Sequence, residues 1–253
     1  MPTFSANLGF LWTDLPLADA IRAAHAAGFA AVECHWPYSE PLADVSAALA
    51  ETDMVMLGLN TRRGADGEAG LAAMPGRSVE ARLAIDEAIR YATGIACPAV
   101  HVMAGIAPPR PDAFLTYLGN LRYACKQAAA HDITVLIEPL NLYDNPGYYL
   151  NNLADAQGVI DAVERPNLKL MFDCYHMQLT EGKVVELLPD VMPILGHVQF
   201  ASVPARNEPD QGALDYREVF AALDELGWTR PLGAEYRPMT NVESGLGWMT
   251  ELC

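Results

Sequence analysis

Apolar runs recur along the chain at intervals of about thirty residues, the spacing of repeated β-α units. Eight of them read as strands: residues 3–10 (TFSANLGF), 30–36 (AAVECHW), 54–60 (MVMLGLN), 98–105 (PAVHVMAG), 133–139 (ITVLIEP), 168–173 (LKLMFD), 196–200 (GHVQF) and 231–236 (PLGAEY). The segments between them carry helical periodicity. In residues 16–29, Leu17, Ile21, Ala24 and Ala27 form one apolar stripe ahead of Gly28, a natural C-terminal stop. Residues 215–228 repeat the design, with Val219, Leu223 and Leu226 on a stripe before Gly227.

Eight strands alternating with helices predict either a (β/α)₈ barrel or a doubly wound sheet. The strand count and the length of 253 residues favour a single (β/α)₈ TIM barrel spanning residues 1–253 as one domain. No Gly-x-Gly-x-x-Gly follows the first strand, which weighs against a dinucleotide-binding sheet.

In a (β/α)₈ barrel the active site is built at the C-terminal ends of the strands. The fifth strand ends at Glu138, the sixth at Asp173, the seventh at Gln199 and the eighth at Glu235. One such residue is more often a surface acid or a satisfied polar group than a functional one. Four from consecutive strands would converge on half of the barrel mouth, and three uncompensated carboxylates meeting there would repel unless a cation or shared protons offset them. Two glutamates, an aspartate and an amide carbonyl are the oxygen donors that a hard divalent cation, Mg²⁺ or Mn²⁺, prefers, whereas zinc more often recruits His or Cys. Alternation along the seventh strand turns His197 inward with Gln199, one layer deeper, in a supporting position. His176, three residues after Asp173, is expected exposed at the mouth as a substrate contact.

Composition limits the partners. Half the residues are apolar and 19% are charged, as in an ordinary globular protein, and no apolar run approaches the roughly 18 residues of a membrane span. The first ten residues do not read as a secretory signal. The five cysteines, Cys34, Cys97, Cys125, Cys174 and Cys253, are widely spaced with no Cys-x-x-Cys pair, which fits reduced thiols in a cytoplasm. The net charge of −16 argues against nucleic acid and repels anions at long range, so an acidic substrate needs a local cationic group. The expected partner is a small molecule, with homo-oligomerisation left open.

Five segments resemble the hydroxypyruvate isomerase family of xylose-isomerase-like barrels, which includes the 2-oxo-tetronate isomerases. They are GEAGLAAMPGR (67–77), IEPLNLYDNPGYYL (137–150), FDCYHMQLTEG (172–182), GHVQFASVPARNEPDQGALDY (196–216) and GAEYRP (233–238), in the family's order. The resemblance implies one divalent metal on Glu138, Asp173, Gln199 and Glu235, and acid/base roles for Glu138 and Glu235. It also implies isomerisation of a small 2-oxo-3-hydroxy acid, with hydroxypyruvate going to tartronate semialdehyde through an enediolate. GLNTRRGADGEAG after the third strand, ECHWPY (33–38) with His35 and Trp36, and FASVPARNEP depart from the family's usual forms, all where substrate is recognised.

The candidates for holding a substrate carboxylate are His176 and Arg206, with Arg62, Arg63 and Arg77 as lid residues on the Gly-rich segment 61–77. Trp36 and Tyr38 are candidates for an apolar wall, and His101 and Glu68 complete the expected substrate contacts. Four other readings compete: a 2-oxo-tetronate isomerase, a ketose 3-epimerase or sugar isomerase, a non-catalytic sugar-acid binding barrel and an AP endonuclease. The epimerase relatives generally carry His where this chain has Gln199. The endonuclease would need several further His ligands and a basic groove.

Overall fold

The computed structural model describes residues 2–252; Cys253 lies outside the described residues. Eight parallel strands run in the order β2-β1-β8-β7-β6-β5-β4-β3. They are β1 Phe4–Asn7, β2 Ala31–Glu33, β3 Leu59–Asn60, β4 Ala99–His101, β5 Thr134–Ile137, β6 Leu168–Asp173, β7 Leu195–Phe200 and β8 Leu232–Ala234. The seam between β2 and β3 is joined by a parallel bridge, Val32 to Met56, and by hydrogen bonds from Cys34 N–H to Gly58 and from Asn60 N–H to His35. The expected strand over 54–60 is thus shortened to Leu59–Asn60, because its first residues serve this seam and not a continuous ladder.

Helices α1 Leu17–Ala26, α2 Leu42–Thr52, α3 Ser78–Gly94, α4 Pro111–Ala129, α5 Leu153–Val163, α6 Cys174–Thr180, α7 Val184–Val191 and α8 Tyr216–Glu225 surround the strands, followed by α9 Trp248–Glu251. Gly28 and Gly227, the predicted stops, take φ of +91° and +81°, values open to glycine at little cost.

Alternation along the strands separates two cores. The large outer core between barrel and helices includes Val135, Ile137, Phe172, Val198 and Ala234. A small inner one holds Ala99, Leu136 and Met171, from β4, β5 and β6. Inward residues one step further along each strand are polar, and strand register brings them level. Asp173 pairs with Gln199, Gln199 with Gly233, and Asn7 with Glu33. No helix among the described residues is long and apolar enough to cross a membrane.

Candidate active site

Glu138, Asp173, Gln199 and Glu235 are all buried at the C-terminal ends of β5 to β8. Three of them are held by hydrogen bonds. Asp173 is both the last residue of β6 and the N-cap of α6: Oδ1 accepts the Tyr175 N–H at 2.9 Å. Gln199 donates its amide Nε2 to Glu33 Oε1 at 3.3 Å. Glu235 Oε1 accepts from Asn7 Nδ2 and His35 Nε2, both at 3.0 Å, and Oε2 accepts from Arg206 Nη2 at 2.7 Å.

Three oxygens lack a hydrogen bond: Glu138 Oε1, Asp173 Oδ2 and Gln199 Oε1 are buried without one, and Asp173 Oδ2 is 3.5 Å from Arg206 Nη2 in a long ion pair. Buried acceptors are ordinarily satisfied, so three on adjacent strands need a donor or a cation. Their chemistry, two carboxylates and an amide carbonyl with a third carboxylate beside them, suits a hard divalent cation.

Among the described residues, one group of three His, Cys, Asp or Glu side chains brings a ligand atom each within 4.8 Å of one another: Glu138, Asp173 and His176. His176 is 1% exposed, not open at the mouth as expected, because α6 starts directly after Asp173 and folds its first turn back over the strand end. Its Nδ1 accepts the Asn141 backbone N–H at 3.2 Å. A neutral ring that accepts at Nδ1 carries its proton on Nε2. That nitrogen lies 3.5 Å from Asp173 Oδ2 and 3.9 Å from Glu138 Oε1. In this tautomer His176 is a donor toward the acids and not a metal ligand.

Burial, reinforced by the charges of Glu235 and Asp173, raises the Glu138 carboxyl well above the usual range. Burial, followed by Glu235, likewise raises Asp173. At Glu235 burial acts in the same sense, but the Arg206 guanidinium and His35 more than offset it and hold the carboxyl low. Burial above all depresses both His101 and His176 to about 3, so both rings are neutral. Arg206 itself lies between the rings of Phe10 and Tyr175, 4.8 and 4.9 Å from their centroids, on a backbone with φ of +57°. That conformation costs a non-glycine residue energy and is typical of functional loops.

The other expected contacts divide into two groups. His101 lies at the site: its Nδ1 is 3.6 Å from Glu138 Oε2, and neither ring nitrogen has a hydrogen bond. His197 points inward below Gln199 and bonds Glu33. The rim residues lie elsewhere. Glu68 pairs with Arg77 at 2.6 Å and accepts the Ala65 N–H, while Arg62 pairs with Glu87. Trp36 donates to the Thr61 carbonyl and stacks under Arg63, and Tyr38 under Arg62. Trp36 and His35 line a side cavity of about 240 Å³ next to the mouth.

Sequence reasoning missed Glu33, Asn7 and Asn141. Glu33 closes β2 as Glu138 closes β5, and the strand-end rule would have found it had the second strand been ended at Glu33 and not at Trp36.

Residues 21–252 match the model of the xylose isomerase-like TIM barrel family. A Cupriavidus necator protein named 2-oxo-tetronate isomerase is 43% identical, covering 98% of each chain. A Xenopus laevis protein named "Putative hydroxypyruvate isomerase" is 38% identical over 97% of this chain and 94% of its own. Among solved structures, a Brucella melitensis protein titled AP endonuclease, family 2, superposes with a TM-score of 0.96 at 37% identity, covering 99% of both chains. The chain belongs to the xylose isomerase-like TIM barrel family, within the group that carries the 2-oxo-tetronate and hydroxypyruvate isomerase names.

Proposed function

We propose that the protein isomerises a small 2-oxo-3-hydroxy acid, with hydroxypyruvate as substrate and tartronate semialdehyde as product, assisted by one Mg²⁺ or Mn²⁺. The observation that carries this reading is the pair of buried glutamates, Glu138 after β5 and Glu235 after β8, flanking Asp173 and Gln199 on the strands between them, each of which keeps a buried oxygen without a hydrogen bond. Such a pair supplies one base and one acid.

In the reaction a proton leaves C3, another is delivered to C2, and the hydroxyl proton passes from O3 to O2. Of the two glutamates, Glu138 and Glu235, the ionised one accepts the first and the other delivers the second, and the reverse reaction exchanges the roles. The Nε2–H of His176 and the Arg206 guanidinium are the donors available to the substrate's oxygens. A cation held by Glu138, Asp173, Gln199 and Glu235 would supply Lewis-acid polarisation of the carbonyl and hydroxyl oxygens. Barrel walls and the aromatic flanks of Arg206, Tyr175 buried and Phe10 half-buried, keep bulk water from the carbanion.

A second reading, a four-carbon 2-oxo-tetronate as substrate, is favoured by the 43% identical relative of that name. The endonuclease title of the Brucella chain finds no support in this chain's charge of −16. The four described cysteines are buried free thiols, which supports a reducing compartment, the cytoplasm.

NMR in D₂O with hydroxypyruvate, 2-oxo-tetronate and free ketoses, with Mg²⁺, Mn²⁺ or EDTA, tests both readings. Deuterium entering C2 of tartronate semialdehyde, lost with EDTA, is expected. Turnover of ketoses alone would sink the acid-isomerase assignment.

A further inference from the structure

One buried carboxylate takes no part in the proton transfers just described. Glu33 ends β2 at 3% exposure, and its ion-pair partner among the described residues is His197, with Nε2 2.5 Å from Oε2. Its other oxygen accepts from Gln199 Nε2. The barrel is shaped around this group: a Cβ added at Gly233 would stand 2.3 Å from Glu33 Oε1 and 2.8 Å from Gln199 Cγ. Only glycine leaves that space on β8.

A carboxylate is acceptor-only, so it dictates which end of the amide it meets. Gln199 must offer Glu33 its NH₂ and turn its carbonyl oxygen away. That oxygen is one of the three strand-end oxygens of the site buried without a hydrogen bond, and register sets its residue level with Asp173. A neutral amide is a weak ligand and is free to rotate unless something fixes it, which is the task that partners behind metal ligands perform.

We propose that Glu33 is a positioning residue: it locks the orientation of the Gln199 amide and thereby tunes the affinity of the barrel mouth for its divalent cation. This rests on the cation reading of the proposed function.

The test is a Mn²⁺ titration by calorimetry of four proteins: the natural chain, Glu33→Met, Gln199→Glu and the double variant. Glu33→Met removes the acceptor at similar length and is expected to weaken Mn²⁺ binding by about tenfold, the low end for loss of such partners. In the Gln199→Glu background no amide needs orienting, and two carboxylates face each other. There the same change loses only the through-space attraction of the carboxylate for the cation and is expected to weaken binding clearly less than in the natural chain. A purely structural role moves both backgrounds the same way, so equal losses overturn the proposal, as does unchanged affinity in Glu33→Met. If the natural chain binds no Mn²⁺, the cation reading and this inference fail together; if it binds Mn²⁺ without dependence on Glu33, only the inference fails. Should Glu33→Met not fold by circular dichroism, Glu33→Gln replaces it. Its carbonyl still accepts from Gln199, so the loss in the natural background is smaller, and the difference between the two backgrounds decides.

Discussion

The two halves of the barrel mouth carry the same kind of side chain and treat it differently. On the β5–β7 side, Glu138, Asp173 and Gln199 each keep one buried oxygen without a hydrogen bond, that of Asp173 reaching Arg206 only at 3.5 Å. On the β8–β2 side, both oxygens of Glu235 are engaged by Asn7, His35 and Arg206, and both oxygens of Glu33 by His197 and Gln199. A strand-end acid is therefore not one kind of functional group. On the first side the acids are under-compensated and tend to keep a proton or take a cation; on the second the fold already supplies the counter-charge and donors.

The comparison is broken most sharply by neutralising one glutamate at a time. Glu138→Gln and Glu235→Gln should each lower kcat by about 10³-fold or more, since each removes a proton carrier from the reaction. Their stabilities should diverge. Glu138→Gln imitates the protonated form that burial favours and should leave unfolding free energy unchanged or higher. Glu235→Gln leaves Arg206 buried without its closest counter-charge and should cost about 3 kcal/mol, the usual result of breaking a buried pair from one side. Urea unfolding measures both. Equal stability losses would show that the two halves do not differ as described.

The metal-free protein offers a second measurement, in which the signs can be worked out group by group. Glu138 and Asp173 have raised folded pKa values, Asp173 at about 8, so their stabilising protons are lost as pH rises from about 4 toward 8. His101 and His176 are depressed to about 3, so their contribution runs the other way, stability rising between about pH 3 and 6.5. Glu235 acts only near and below pH 4. The acids and histidines thus oppose each other up to about pH 6.5, and above it the acids act alone. With EDTA present, Tm should fall between pH 6.5 and 8, by about 2–4 °C for each kcal/mol lost. Added Mn²⁺ should shrink that fall. A Tm that is flat or rising in EDTA over this interval contradicts the under-compensated half.

What could be read beforehand follows the same division. Strand ends are visible in sequence because apolar runs stop there, so the strand-end places of Glu138, Asp173, Gln199 and Glu235 are legible, along with the barrel. Partners that arrive from a distant part of the chain leave no local mark. Asn7 and Glu235 are 228 residues apart, and Glu33 and His197 are 164 apart, yet each pair shares a hydrogen bond. His176 was placed at the mouth because nothing in FDCYHMQ reveals that α6 begins at once and buries its first turn. The rim arginines show the same limit: a Gly-rich segment with three arginines resembles a lid, while nothing local reveals that Arg62 and Arg77 have acids of their own on α3, Glu87 and Glu80.

Those pairings give the smallest expected effect and separate rim from mouth. Arg77 reaches Glu68 and Glu80, both pairs partly exposed, while Arg206 is buried against Glu235. Exposed ion pairs contribute little because water and salt screen them. Arg77→Ala should therefore leave kcat and KM within about twofold of the natural values, since nothing it touches bears on the reacting carbons. Steady-state kinetics on the preferred acid would check this. A tenfold rise in KM with kcat unchanged would mean that the segment 61–77 closes over the substrate and that Arg77 exchanges Glu68 for the substrate's carboxylate, bringing the rim into the under-compensated half of the site.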